Sequence, residues 1–177
     1  MYILENLDYT IKILEEEQEL FLQNRDLLER ESRKLEVLRP TYMEFNELYG
    51  RFRENVNDII AANSDLKEIK RMYNRGEIMQ ENFLLRNNQL KGRIQDSYIN
   101  LKEDIFPKLK ELASQISVSS ASEEKIKEFE KERDGEINKI DKKIMGQNAV
   151  EMIKPYLKEL IPTLIKKAIT ITTGVPL

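Results

Sequence analysis

The 177-residue chain contains no cysteine, no histidine and no tryptophan. Without thiols it has neither disulfide nor thiolate nucleophile, and without imidazole it has no histidine general base and no His- or Cys-ligated metal. Glycine (6 residues), proline (5) and aromatics (7%) are too few for the turn-dense sequence of a β-sandwich or a doubly wound sheet. No window approaches the ~18 consecutive apolar residues that a membrane-spanning helix needs. The opening stretch carries Glu5, Asp8 and a glutamate triplet at 15–17, where a secretory signal would have a basic start and an unbroken apolar run. The expectation is a cytoplasmic protein, with peripheral attachment at a membrane surface as the variant.

What is present is charge and apolar periodicity. Charged residues make up 34% of the chain, 29 basic against 32 acidic, for a net charge of −3. No segment concentrates enough lysine and arginine to form a phosphate-binding face, so nucleic acid is not the expected partner. The balance shifts along the chain: residues 1–40 hold 10 acids and 6 bases, and residues 149–177 hold 2 acids and 4 bases in a far more apolar setting.

Leu7, Leu14, Phe21, Leu28 and Leu35 recur at intervals of seven, and the alternating positions of the 3-4 repeat fall on Leu4, Ile11, Gln18, Arg25 and Ser32. This predicts a heptad helix whose polar positions suit a larger or antiparallel bundle better than a parallel dimer. Pro40 should end or kink it. The pattern resumes through Tyr42, Phe45, Tyr49, Phe52, Val56, Ile59, Asn63, Leu66, Lys70 and Tyr73. Asn63 is either a buried amide that sets register or a solvent-facing residue on a slightly rotated helix. The second helix closes at Asn74-Arg75-Gly76, with glycine suited to the left-handed cap and basic residues in the last turn.

A third segment runs through Phe83, Leu90, Ile94, Tyr98, Leu101, Ile105, Leu109, Leu112 and Ile116, slipping to four-plus-four spacing around Ile105, and Pro107 predicts a kink or a fresh start near Phe106. Ser117–Ser122 reads as a linker, with Ser122 as N-cap of a charged helix that buries one narrow edge. The last segment has a broad apolar face, interrupted by Pro155 and Pro162, which predicts two short kinked helices. The architecture expected is all-α: an elongated antiparallel coiled-coil or helical bundle over 1–116, a linker at 117–122, a charged helix over 123–148 and an amphipathic C-terminal segment over 149–177.

The stretch from Asp65 to Phe83, with Leu66, Ile69, Tyr73, Gly76, Glu77, Ile78, Glu81, Phe83 and then Leu90, resembles the SHOCT-type short helical hairpin, although Met79 stands where that pattern usually has threonine and the motif lies in mid-chain. The frame Tyr73, Gly76, Phe83 is also similar to part of the Mod(r) domain of ESCRT-I coiled-coil subunits. Either resemblance implies oligomerisation or complex scaffolding and no catalysis. A glycine-capped helix reversal with a hydrophobic clasp accounts for the same residues on structural grounds alone.

For chemistry the chain offers little. The carboxylates of Glu15–Glu17 and Glu123-Glu124 read as solvated helix faces, and no Walker loop, dinucleotide turn or calcium-loop spacing is present. No catalytic residue, metal site or cofactor is therefore expected. Lys67, Lys70, Arg71 and Arg75 beside Tyr73 read as helix C-terminal cations. In the C-terminal segment, Met152, Ile153, Tyr156, Leu157, Leu160, Ile161, Leu164 and Ile165, flanked by Lys166 and Lys167, form a face that either closes the protein's own bundle or meets a partner helix or membrane surface. The functional expectation is a non-enzymatic coiled-coil scaffold or adaptor with protein partners, as a homo- or hetero-oligomer. The alternative is a peripheral membrane protein docking through that C-terminal face.

Overall fold

The computed structural model describes residues 2–117, 121–146 and 151–174, and its regular structure there is entirely helical. A single turn, α1 (Tyr2–Glu5), precedes α2 (Leu7–Lys34); a 3-10 turn at Glu36–Leu38 leads into α3 (Arg39–Asn74). After α4 (Gln80–Asn100) come a π turn at Leu101–Ile105 and α5 (Phe106–Gln115), then α6 (Glu123–Met145), a second π turn at Tyr156–Leu160 and α7 (Ile161–Thr173).

Counting α4, its π turn and α5 as one bent rod, and residues 151–174 as another, the described residues make five rods in a bundle. Cross-rod contacts fix their directions. α2 and α3 run antiparallel through Arg25–Asn46 (2.6 Å) and Asp8–Lys67 (2.9 Å). α3 and the bent rod run antiparallel through Asp58–Arg93 (3.1 Å) and Arg51–Asp104. Lys110–Asp141 (2.8 Å) and Ile116–Arg133 (3.3 Å) set α5 antiparallel to α6, and Glu132–Lys167 (3.2 Å) and Lys143–Glu159 (3.2 Å) set α6 antiparallel to the last rod. With five alternating rods the first and last must point the same way. They meet in that sense: Glu16 pairs with Lys154 (3.2 Å), and further along α2 Asn24 bonds to Leu157. The C-terminal segment thus lies against α2, and a single buried cluster runs from Ile13 to Ile169.

The middle of that cluster is aromatic. Phe21 of α2 lies 4.8 Å from Phe45 and 5.3 Å from Phe52, ring centre to ring centre. The heptad positions Leu14, Phe21, Leu28, Phe45, Phe52 and Ile59 are all buried, whereas Leu7 and Leu66 are half-buried and Leu35 lies past the helix end in extended backbone. Pro40 does not end the first helix. It occupies the first turn of α3, where a missing N–H costs nothing, and α2 has already stopped at Lys34.

Both π turns sit just ahead of a proline, Pro107 or Pro162, in the first turn of the next helix. Phe106 and Ile161 each reach back five residues, to the carbonyls of Leu101 and Tyr156, so each rod carries one extra residue in that turn. The expected break near Phe106 is therefore a wide turn inside a continuous rod. Ser122 caps α6 as expected, accepting from the Lys125 amide at 3.5 Å; Val118, Ser119 and Ser120 of the expected linker lie outside the described residues, as do residues 147–150.

Candidate functional site

Gly76 ends α3 with φ of +73°, the left-handed conformation that only glycine adopts without cost, and the chain turns back into α4. The Glu77 amide bonds the Met72 carbonyl at 2.9 Å and the Gly76 amide bonds that of Tyr73 at 3.0 Å, closing the helix end. Tyr73 and Phe83 stack across the reversal with ring centres 4.5 Å apart and planes 16° from parallel. The three residues expected to form the reversal thus come together in it.

From Ile69 on α3 to Ile94 on α4 no intervening residue is buried, so this hairpin stands as a two-helix arm rising about 10 Å beyond Ile69 at 1.5 Å per residue. Its end carries Met79, Leu84 and Leu85, which are 73%, 48% and 58% exposed. Between Lys67 and Lys91 it holds six bases and three acids. Lys67 is tied to Asp8, and this hydrogen bond, with a second from Asn63 at 3.1 Å, holds the Asp8 carboxyl below its usual range. Asn63 therefore sits at an exposed polar contact and not as a buried amide within the seam.

The C-terminal face is spent inside the molecule. Ile153, Tyr156, Leu157, Leu160, Ile161, Leu164 and Ile165 are buried, Met152 is half-buried, Lys166 is exposed and Lys167 pairs with Glu132. Each large apolar side chain so buried contributes ~1.5–3 kcal/mol, which is what holds the segment to the body. Tyr156 donates to Asp141 of α6, and burial, then that carboxylate, pushes its phenol well above its ordinary range.

What this face covers on α2 departs from the expected seam. Beside Leu14, Phe21 and Leu28 the second buried column is Thr10, Glu17, Asn24 and Glu31, one residue earlier than Ile11, Gln18, Arg25 and Ser32. The apolar column can be flanked on either side by a 3-4 repeat, and the C-terminal segment settles on the polar side. Glu17, read as part of a solvated triplet, is fully buried, and neither carboxylate oxygen meets a donor at full hydrogen-bonding geometry among the described residues, the Lys154 backbone N–H giving it only weak support. Burial drives its pKa well above the ordinary carboxylate value, with Lys154 opposing and Glu151 and Glu16 adding to the rise. Asn24 has a definite task. Its side-chain amide donates to the Leu157 carbonyl, which the π turn and the N–H-less Pro162 leave without a backbone donor.

No group of three or more acidic side chains among the described residues is arranged to hold a metal ion, and none of the helices is long and apolar enough to cross a membrane. The grooves between α3 and the bent rod are open and lined mainly by charged and amide side chains. Comparison with family models, with curated proteins and with solved structures finds no match for this chain.

Proposed function

We propose that the chain is a non-enzymatic helical scaffold or adaptor acting through protein–protein assembly, and that the α3–α4 arm is the part it presents. The observation that carries this reading is the exposed apolar end of the arm, Met79, Leu84 and Leu85, on a hairpin with no buried residue between Ile69 and Ile94. The resemblance of residues 65–90 to hairpin modules that imply scaffolding points the same way. The large exposed apolar side chains away from the arm among the described residues, Tyr9, Met43, Ile99 and Met145, lie on four separate helices, whereas the arm groups Met79, Leu84 and Leu85 at one end.

Sedimentation velocity of the full chain across the micromolar range tests the reading. The expected result is a sedimentation coefficient that rises with concentration for the native chain and does not rise for the double variant Leu84→Glu, Leu85→Glu. A compact monomer at every concentration would count decisively against assembly of copies through the arm.

A further inference from the structure

The body carries a recess that complements the arm. Between α2 and α3, the half-buried Leu22, Tyr49 and Ile60 line, with the amides of Gln18 and Asn57, a pocket of about 230 Å³; Glu15 and Glu19 stand exposed at its rim and the Arg25 guanidinium lies 5.6 Å over the Tyr49 ring. Neither glutamate has an ion-pair partner among the described residues, and neither do Arg75 and Arg86 on the arm. Apolar side chains flanked by free cations therefore stand at one place, and half-buried apolar side chains flanked by free carboxylates and two amides at another. We propose that the arm of one copy seats Leu84 and Leu85 in the Leu22–Tyr49–Ile60 recess of a second copy, with Arg75 and Arg86 meeting Glu15 and Glu19.

Three features select a second copy as the occupant. The arm cannot reach its own recess, because α3 is one unbroken helix carrying both Tyr49 and Tyr73, separated by roughly 36 Å at 1.5 Å per residue. Arm-to-arm pairing sets like charge against like, with six bases and three acids on each. The charge match lies within the chain, since the arm's unpaired Arg75 and Arg86 complement the unpaired Glu15 and Glu19 of α2. This inference rests on the assembly reading above and names the contact through which it operates.

The absence of cysteine makes the test clean. One preparation carries Gln18→Cys in the recess and another Asn82→Cys on the arm; they are mixed and treated with a short bis-maleimide. The expected product is a cross-linked dimer of the two different variants, several-fold more abundant than self-cross-linking of either, and reduced at high salt. Adding Glu15→Lys and Glu19→Lys to the Gln18→Cys chain should abolish it, and adding Arg75→Glu and Arg86→Glu to the arm-bearing chain should restore it, a recovery that misfolding cannot mimic. No mixed product, a predominant Asn82→Cys self-product, or indifference to charge reversal would overturn the proposal. If the native chain still sediments as an oligomer in that event, this contact alone is lost; a monomer removes the assembly reading with it.

Discussion

The bond from Asn24 to the Leu157 carbonyl makes a prediction that only this geometry makes. In the π turn at Tyr156–Leu160 the Ile161 amide bonds Tyr156, so Leu157 has lost its ordinary i+4 donor, and the next residue able to serve it, Pro162, has no N–H. Asn24 reaches across from α2 and fills the gap. Asn24→Ala removes that donor and leaves a buried carbonyl unsatisfied, at a cost of ~1–3 kcal/mol. Pro162→Ala supplies an N–H that can reach Leu157 by continuing the five-residue pattern of the turn. In that background Asn24→Ala should cost about 1 kcal/mol less, the size of coupling seen between residues of one network. Urea unfolding of the four chains, read as midpoints at constant slope, gives the double-mutant cycle directly. If the two substitutions add to within ~0.3–0.5 kcal/mol, the carbonyl is served in some other way and the account of the π turn is wrong.

Glu17→Leu should stabilise the chain at neutral and higher pH by ~1–4 kcal/mol, because a buried carboxyl with only weak support from Lys154 is replaced by a side chain suited to its surroundings. Since the folded pKa of Glu17 lies above its ordinary value of 4.5, native stability falls as pH rises from about that value through the folded pKa; the variant's advantage over the native chain should therefore shrink towards pH 4.5, and a gap that does not change with pH would refute the assignment. Phe21→Ala, at the centre of the aromatic cluster, should cost ~3–5 kcal/mol in the same urea assay, more than any surface substitution on α2. Gly76→Ala meets nothing within 4 Å, so its penalty is the left-handed backbone alone, ~1–2 kcal/mol, or a melting temperature lower by roughly 2–4 °C per kcal/mol.

The helices were legible in the sequence because their apolar positions repeat without competing signals. Every member of the third-segment series from Ile94 to Ile116 is buried. The slip to four-plus-four spacing at Leu101, Ile105 and Leu109 coincides with the π turn, the place where Pro107 predicts a kink or a fresh start. The hairpin reversal was equally plain, since a glycine at a helix end followed by a fresh apolar period has few other meanings. What periodicity could not decide was which flank of the α2 column turns inward. Gln18 and Glu17 are both polar, so neither announces itself as interior, and composition favours leaving a glutamate triplet in water. The answer depends on a segment more than 130 residues away in the chain, the one that lies over Asn24 and Glu17.

That dependence explains why the C-terminal face looked available. Read alone, residues 152–165 form a wide apolar stripe edged by lysines, the pattern of a partner-binding or membrane-surface helix. The lysines distinguish the outcomes only once their partners are visible: Lys154 reaches Glu16 and Lys167 reaches Glu132, both on helices of the same body. Such exposed pairs add little energy, so they do not hold the segment down; seven buried apolar side chains do. The polar column beneath supplies position instead. One asparagine matched to one orphaned carbonyl fixes where along α2 the segment rests, since a shift by a single turn would leave both groups buried and unpaired. Apolar area thus provides the adhesion and the Asn24–Leu157 bond the register, so the face that looked available is used up in holding the fifth rod to the first.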